Sequence, residues 1–458
     1  MPAGTAPAHL ALSRLYPERP IPKDVISLEA PEERALLVGA PLKRASARHH
    51  VDEHLEELDR LADTAGAQVI GTLTQNIDRP HPGTYLGKGK IEELRARAEE
   101  EGASLIIFDD ELSPAQGKNI EDAVGKRVMD RAELILDIFA TRARSREAKM
   151  QVELAQLNYM LPRLTRMWTH LEKFRGGIGV RGPGETQLET DRRLIGHRIR
   201  ILKERLEEVQ RTRAVQRHGR RGEFRAALVG YTNAGKSSIL RAMSGSNDIF
   251  VEDRLFATLD PLSRDVDLGE NQHVVLTDTV GFIRKLPHHL VASFRATLEE
   301  LHEADLLLHV IDASHAYWEE QREVVDDVIT ELRAHDKPML YVFNKIDRLS
   351  AAEAEGLGER VAHLFPSSVL VSSVTPGGLD PLRGALLERM RAFKPLVELR
   401  VAHGDGKLLS ELHRAGEVVS QRHTDDAAYL RIRIDRASLG RLLQRGATVA
   451  TDGDSVPA

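Results

Sequence analysis

The residues with the clearest chemistry lie in the stretch "FRAALVGYTNAGKSSIL". Gly230, Tyr231, Thr232, Asn233, Ala234, Gly235, Lys236 and Ser237 follow directly on the apolar run Ala226 to Val229. A Gly-x-x-x-x-Gly-Lys-Ser string between a strand and a helix is the form of a phosphate-cradling loop. Its glycines let backbone N–H groups turn inward, and the helix start adds the positive end of its dipole. Lys236 is expected to reach the β- and γ-phosphates, and the Ser237 hydroxyl to ligate Mg²⁺.

Two more strand ends carry matching chemistry. In "HVVLTDTVGF", Asp278, Thr279, Val280 and Gly281 close an apolar run. Asp278 there can hold Mg²⁺ through water, and the Gly281 N–H can sense a γ-phosphate. In "MLYVFNKID", Asn344, Lys345, Ile346 and Asp347 close another. The Asp347 carboxylate can accept both guanine N1–H and the exocyclic amine. Adenine would leave that carboxylate unpaired, and sites built this way discriminate by factors on the order of 10⁴. Asn344 can bridge base and phosphate loop, and the Lys345 stem can cover the ring. "SVLVSSV" then offers Ser372, Ser373 and Val374, with a backbone N–H for guanine O6. These motifs, in this order and at strand ends, predict a GTP site.

The second Mg²⁺ ligand is expected at Thr258 in "LFATLD", with Phe256, Ala257, Leu259 and Asp260 placed against the nucleotide beside it. Thr277 and Thr279 are the rival threonines. Residue 282, just after Asp278-Thr279-Val280-Gly281, is Phe where many GTPases have a Gln. Phe282 cannot orient the attacking water, so unassisted turnover is expected to be slow; even with that Gln, a bare GTPase runs at about 10⁻⁴ s⁻¹. The missing group must come from a rearranged switch or a partner.

Elements must position these residues. The 458-residue chain is long enough for roughly three domains. Residues 1–35 are Pro-scattered and read as poorly ordered. From 36 to 140, apolar runs such as "AQVIGTL" and "ASLIIFDDE" alternate with helical patterns, predicting a small α/β domain. From 141 to 222 the period lengthens: Met150, Leu154, Leu157, Leu161 and Leu164, then Leu188, Ile195, Ile199, Leu202 and Leu206, recur every three or four residues. This predicts a long antiparallel hairpin, bent at Pro162. Strand–helix alternation returns over 223–395, the GTPase domain. A small α+β domain over 396–448 and a frayed tail, 449–458, complete an α/β multidomain chain.

The hairpin is broken by "RGGIGVRGPGETQLETDRR", with Arg175, Gly176, Gly177, Gly179, Arg181, Gly182 and Gly184 packed together. From 141 to 225 there are 21 Lys/Arg against 10 Asp/Glu, in a chain of net charge −6. A localised polyanion contact is one reading and a solvated face the other. "RTRAVQRHGRRGEFR" (211–225) divides the same way, between rRNA phosphate contact and a solvated helix end. Aromatics are 4% of the chain, which speaks against stacking on single-stranded bases. No cysteine is present, so disulfides and thiolate metal sites are excluded. No apolar stretch approaches a membrane span, and a cytoplasmic monomer is expected. His50 and His54, one helical turn apart near Glu53, read as a solvated face ahead of a metal site.

Through these and further motifs, the chain resembles the HflX family of ribosome-binding GTPases, in the translation-factor class of P-loop GTPases. The resemblance is carried by "TYLGKGKIEEL" (84–94), "FDDELSPAQ" (108–116), residues 132–164, "GGIGVRGPGETQLETDRR" (176–193), "LFATLDPL" (255–262) and "DTVGFIRKLPHHL" (278–290). It spans about 36–400. It implies binding to the large ribosomal subunit and ribosome splitting under stress. It also places the glycine loop at a hairpin tip reaching toward the peptidyl transferase centre. Helices of about 30 residues extend roughly 45 Å, enough for that reach, and Arg175 and Arg181 can meet phosphate. A clamp that binds without splitting, and a large-subunit assembly GTPase, remain as alternatives. The resemblance further implies an ATP-directed activity of the N-terminal region. "GTYLGKGK" does not place it, because Gly83 to Gly87-Lys88 leaves three intervening residues where a phosphate loop needs four.

Overall fold

A computed structural model describes residues 33–43, 51–164, 183–218, 224–246, 252, 254–269, 272–287, 290, 300–402, 405–424, 426–434 and 436–450. The first unit alternates β1 (Arg34–Gly39), α1 (Val51–Ala65), β2 (Gln68–Thr74), α2 (Lys88–Glu100), β3 (Leu105–Phe108), α3 (Pro114–Val124) and β4 (Arg127–Asp130). Its strands form a parallel sheet in the order β2-β1-β3-β4. Parallel neighbours need crossovers, and each helix supplies one. Strands buried on both faces read as unbroken apolar runs, as "LIIF" in β3 does. Local signals set the helix ends: Ser113 and Gln116 form a capping box ahead of Pro114, and Gly125 closes α3 at φ 71°. Gly87-Lys88 opens α2.

The middle region carries two helical stretches. Asp130 caps α4 (Arg131–Arg142), and Ser145 caps α5 (Arg146–Met160). Pro162 ends α5 in a single 3₁₀ turn, Leu161–Arg163, where its missing N–H would break a longer helix. The other arm, α6 (Pro183–His218), runs 36 residues. Leu154 of α5 packs with Ile199, Leu202 and Leu206 of α6, and Arg198 holds Glu153 at 2.6 Å. Arg175, Gly176, Gly177, Gly179, Arg181 and Gly182 lie outside the described residues. Gly184 falls in the first turn of α6 and not in a loop.

The third unit contains β5 (Phe224–Gly230), α7 (Lys236–Ser244), β6 (Leu262–Gly269), β7 (Gln272–Asp278) and β8 (Leu306–Asp312). It continues with α8 (Trp318–Glu331), β9 (Met339–Asn344), α9 (Ala351–Leu364), β10 (Ser368–Leu370) and α10 (Asp380–Phe393). Strand order is β10-β9-β8-β5-β7-β6, parallel except for β6 against β7. Ligands of such sheets bind beyond the carboxyl ends of the strands. Asp278, Asp312 and Asn344 each end a strand there, and the phosphate loop leaves β5 at the same edge. The last unit is an antiparallel sheet, β12-β13-β11-β14, built from β11 (Leu396–Ala402), β12 (Glu417–His423), β13 (Ala427–Arg433) and β14 (Thr448–Val449). It carries α11 (Gly406–Ala415) and α12 (Arg436–Gln444). One apolar core runs from α1 and α4 through Tyr231, Phe256, Phe282 and Leu290, joining the first unit to the GTPase unit. No helix among the described residues is long and apolar enough to cross a membrane.

Candidate nucleotide site

At the phosphate end, the loop leaving β5 turns through Asn233 (φ 60°) and Gly235 (φ 96°) into α7. A Cβ on Gly235 would stand 2.2 Å from Asn344 Nδ2, so only glycine lets the loop lie on that strand end. Gly281 is equally confined, since its Cβ would meet the Thr232 backbone at 2.7 Å and Lys236 Nζ at 3.0 Å. Lys236 is buried and donates to the carbonyls of Gly230 (3.1 Å) and Tyr231 (2.8 Å). Burial pushes its pKa down to about 8, against the opposing pull of Asp278.

Three oxygens converge beside it. Ser237 Oγ lies 2.6 Å from Asp278 Oδ2 and 2.7 Å from Thr258 Oγ1. Asp278 is fully buried, and burial raises its carboxyl above the ordinary range. Its Oδ1 is buried without a hydrogen-bond partner among the described residues. A buried, unsatisfied carboxylate oxygen beside two hydroxyls is a donor set of hard oxygens, the type Mg²⁺ takes. The rival threonines point elsewhere: Thr279 Oγ1 donates to the Leu228 carbonyl, and Thr277 pairs with Ser263.

At the base end, Asn344 is buried; its Nδ2 donates to the Ala234 carbonyl (3.0 Å) and its Oδ1 accepts from Ser373 N (3.2 Å). Lys345, at φ 65°, extends across the phosphate loop to the Asn233 carbonyl (2.8 Å) and Asp312 (2.7 Å). Asp347 Oδ1 accepts from Ser372 Oγ at 2.5 Å, and that hydroxyl in turn accepts from the amides of Val374 and Thr375. The amides of Ser373 and Val374 are thus already engaged inside the loop. Val374 itself is exposed.

The walls of the site come from other units. Tyr231 Oη donates to Glu57 of α1 at 2.5 Å and accepts from the Arg284 amide at 2.9 Å. Burial, then Glu57, raises the Tyr231 pKa well above its ordinary value. The Arg284 guanidinium pairs with Glu53 (3.2 Å) and Glu57 (3.7 Å). Lys285, at φ 53°, pairs with Asp109 (2.5 Å) and Asp110 (2.6 Å). Arg131, buried, binds Glu57 and reaches Asp109 at 2.7 Å. Burial pushes Asp109 up, but Arg131 and Lys285 outweigh it and hold the carboxyl below its ordinary range. On the other side, Phe256 stacks edge-on against Phe139 of α4, centroids 4.7 Å apart, at φ 55°. Its amide donates to Thr232 Oγ1 at 2.9 Å. Residues in the left-handed region cost about 1–3 kcal/mol each, and three of them (Asn233, Phe256, Lys345) border this one site.

Comparison with known proteins places this geometry. Family models match along the chain: GTP-binding GTPase N-terminal at residues 52–140, GTP-binding GTPase Middle Region at 142–220, and 50S ribosome-binding GTPase at 225–345. A GTPase HflX of Magnetococcus marinus is 45% identical over 417 residues, 90% of this chain and 95% of that one. The chain belongs to the HflX GTPase family. The Escherichia coli GTPase HflX is 43% identical over 86% of this chain and 92% of its own. That of Flavobacterium psychrophilum is 50% identical over 69% and 76%. Among solved structures, a GTP-binding protein from Sulfolobus solfataricus in complex with GDP matches at TM-score 0.42 and 25% identity, covering 78% of this chain and 98% of that one. Like other HflX GTPases, the chain is a P-loop enzyme that hydrolyses GTP.

Within this HflX chain, one cavity gathers Thr232, Asn233, Gly235, Lys236, Ser237, Phe256, Ala257, Thr258, Thr279 and Gly281. Other members of the expected set face away. Leu259 and Val280 are packed in the core. Asp260 does not line the cavity. Its carboxylate accepts from the amides of Arg144 (3.1 Å) and Ser145 (3.0 Å) and from the Ser145 hydroxyl, where the start of α5 attracts an anion. Phe282 is buried, its amide bonded to the Gly230 carbonyl and its carbonyl to the Thr232 amide. His54 is not on a solvated face. It is half-buried, 4.0 Å from Asp109, and burial, then Arg284, pulls its pKa down to about 4; His50 lies outside the described residues. No cluster of three metal-ligating side chains occurs among the described residues. Asp312 was missed, although it ends an apolar strand just as Asp278 does. Glu53, Glu57 and Asp109 had no local signal, since the GTPase-unit residues they meet lie more than a hundred residues away.

Proposed function

We propose that this chain is a GTP-gated factor that binds the large ribosomal subunit and splits or remodels ribosomes under stress, with Mg²⁺ at Ser237, Thr258 and Asp278. The observation that carries the reading is the double grip on the nucleotide loops. The segment bearing Thr258 is held by α4 and α5, and the segment after Gly281 is held by α1 and Asp109. Any rearrangement around a γ-phosphate therefore pulls on the base of the hairpin. The match to a 50S ribosome-binding GTPase model, and the basic balance of the middle region, favour an RNA particle as the partner.

Ser237 and Thr258, with Asp278 behind them, would hold Mg²⁺, which would supply positive charge against that of the phosphates. The chain's own residues do the rest. Lys236 exchanges its two carbonyl partners for phosphate oxygens. Backbone amides from Asn233 to Lys236 orient the chain of phosphates, while Asn344, Lys345 and Asp347 hold the base. Arg175, Gly176, Gly177, Gly179, Arg181, Gly182 and Gly184 are the residues assigned to the ribosome, and hydrolysis resets affinity and permits release. The decisive measurement is GTP turnover with and without purified large subunits, combined with light scattering of intact ribosomes. At least tenfold stimulation with a fall in scattering is expected. Stimulation without a fall in scattering would replace splitting by a clamp, and preference for precursor particles would favour an assembly role.

A further inference from the structure

With Phe282 packed into the core, no side chain at that position can act on the reacting phosphate. Another polar group must stabilise the charge that develops there. Arg254 lines the same cavity as Lys236, Ser237, Thr258 and Gly281. It also lines the adjoining cavity walled by Lys345 and Asn233, on the base side. It therefore stands between the phosphate-loop cavity and the cavity beside Lys345. Its side chain is exposed and makes no hydrogen bond or ion pair among the described residues.

Two nearby residues are held. Glu252 lies 2.7 Å from Arg142 of α4, and Phe256 is fixed to Thr232 and Phe139. An unengaged guanidinium between two anchored residues, lining a phosphate-loop cavity, has the fork geometry that suits phosphoryl oxygens. We propose that Arg254 is a catalytic arginine supplied by the chain itself. The role rests on reading the cavity as the GTP site. In the step, water attacks the γ-phosphorus and the bond from that phosphorus to the β–γ bridging oxygen breaks. GDP keeps the electron pair, and the water's proton ends on the phosphate released. Arg254 neither gives nor takes a proton; it neutralises charge on the bridging and γ-oxygens as it builds up.

GTPases that carry such an arginine in cis turn over at about 10⁻² s⁻¹ and those without it at about 10⁻⁴ s⁻¹. The test is single-turnover hydrolysis by the full chain without ribosomes, comparing wild type, Arg254→Ala and Arg254→Lys. GTP and GDP affinities and binding of GDP with aluminium fluoride are measured in parallel. Arg254→Ala is expected to lose at least about tenfold in rate at saturating GTP, to keep GDP and GTP affinity within about threefold, and to lose the aluminium fluoride complex. Arg254→Lys should recover part of the rate. A rate within twofold of wild type, or a loss matched by weaker GTP binding with the aluminium fluoride complex intact, would overturn the role. Failure of the wild-type chain to bind GTP would sink the cavity reading itself, and this role with it.

Discussion

Lys236 is the residue on which nucleotide affinity should depend most visibly. Burial leaves its ammonium with a pKa near 8, so in the free protein it begins to lose its proton just above neutrality. A phosphate chain favours the charged form and raises that pKa again. Binding above pH 8 must therefore take up a proton, and GDP affinity should fall by up to tenfold per pH unit there while staying flat between pH 6.5 and 7.5. Titration calorimetry in buffers of different ionisation heat checks both the fall and the proton. The motif residues at this scale were legible from sequence because they are contiguous and each ends an apolar strand. What escaped was which neighbours of a motif face inward. Thr258 meets Ser237, but "LFATLD" does not reveal that Asp260, two residues later, turns to α5.

Among the elements, α1 and α4 meet the GTPase unit through charges that are buried. Arg131 is the hinge of that contact, holding Glu57 and Asp109 together. Removing it takes one cation from each carboxylate while Glu57 keeps Arg284 and Asp109 keeps Lys285, so the cost is about 1–3 kcal/mol, below that of an unpaired buried charge. Arg131→Ala should lower the denaturation midpoint accordingly, and restoring a cation with Arg131→Lys should recover only part of it. An unchanged midpoint in urea would show that water already reaches the site. None of this was readable in α1, whose Glu53, His54 and Glu57 look like any solvated helix face. Helical periodicity reports which face is polar, and a polar face can be buried whenever another polar face is its partner. Pro162 was legible, because the expected bend falls at the 3₁₀ turn Leu161–Arg163, where proline lacks the N–H that a regular α-helix would use.

For the molecule as a whole, the pairing of the first unit with the GTPase unit should weaken in acid. An ordinary imidazole gains its proton near pH 6.5, whereas His54 resists until about 4. The unfolded chain thus binds that proton first, so the stability is complete above pH 6.5 and drains as pH falls toward 4. Asp109, held below the ordinary carboxylate range, pushes the same way at the acid end. The thermal midpoint should drop across this window, and His54→Gln should flatten the drop; a parallel slope in the variant would remove His54 from the account. The division into α/β, helical, GTPase and α+β units was legible because each stretch keeps its own hydrophobic period. The joints between units were not, because a period says nothing about what lies across a surface.

The length of α6 changes what small motions mean. Thirty-six residues make a rod of about 54 Å. Its C-terminal end, His218, stands only six positions before Phe224, the first residue of the strand that leads into the phosphate loop. Each degree of tilt at that root sweeps the far end through roughly 1 Å. A tilt of a few degrees at the root moves Pro183 by several ångströms. A rod of that length is a lever, in which a slight turn at one end is a long stroke at the other.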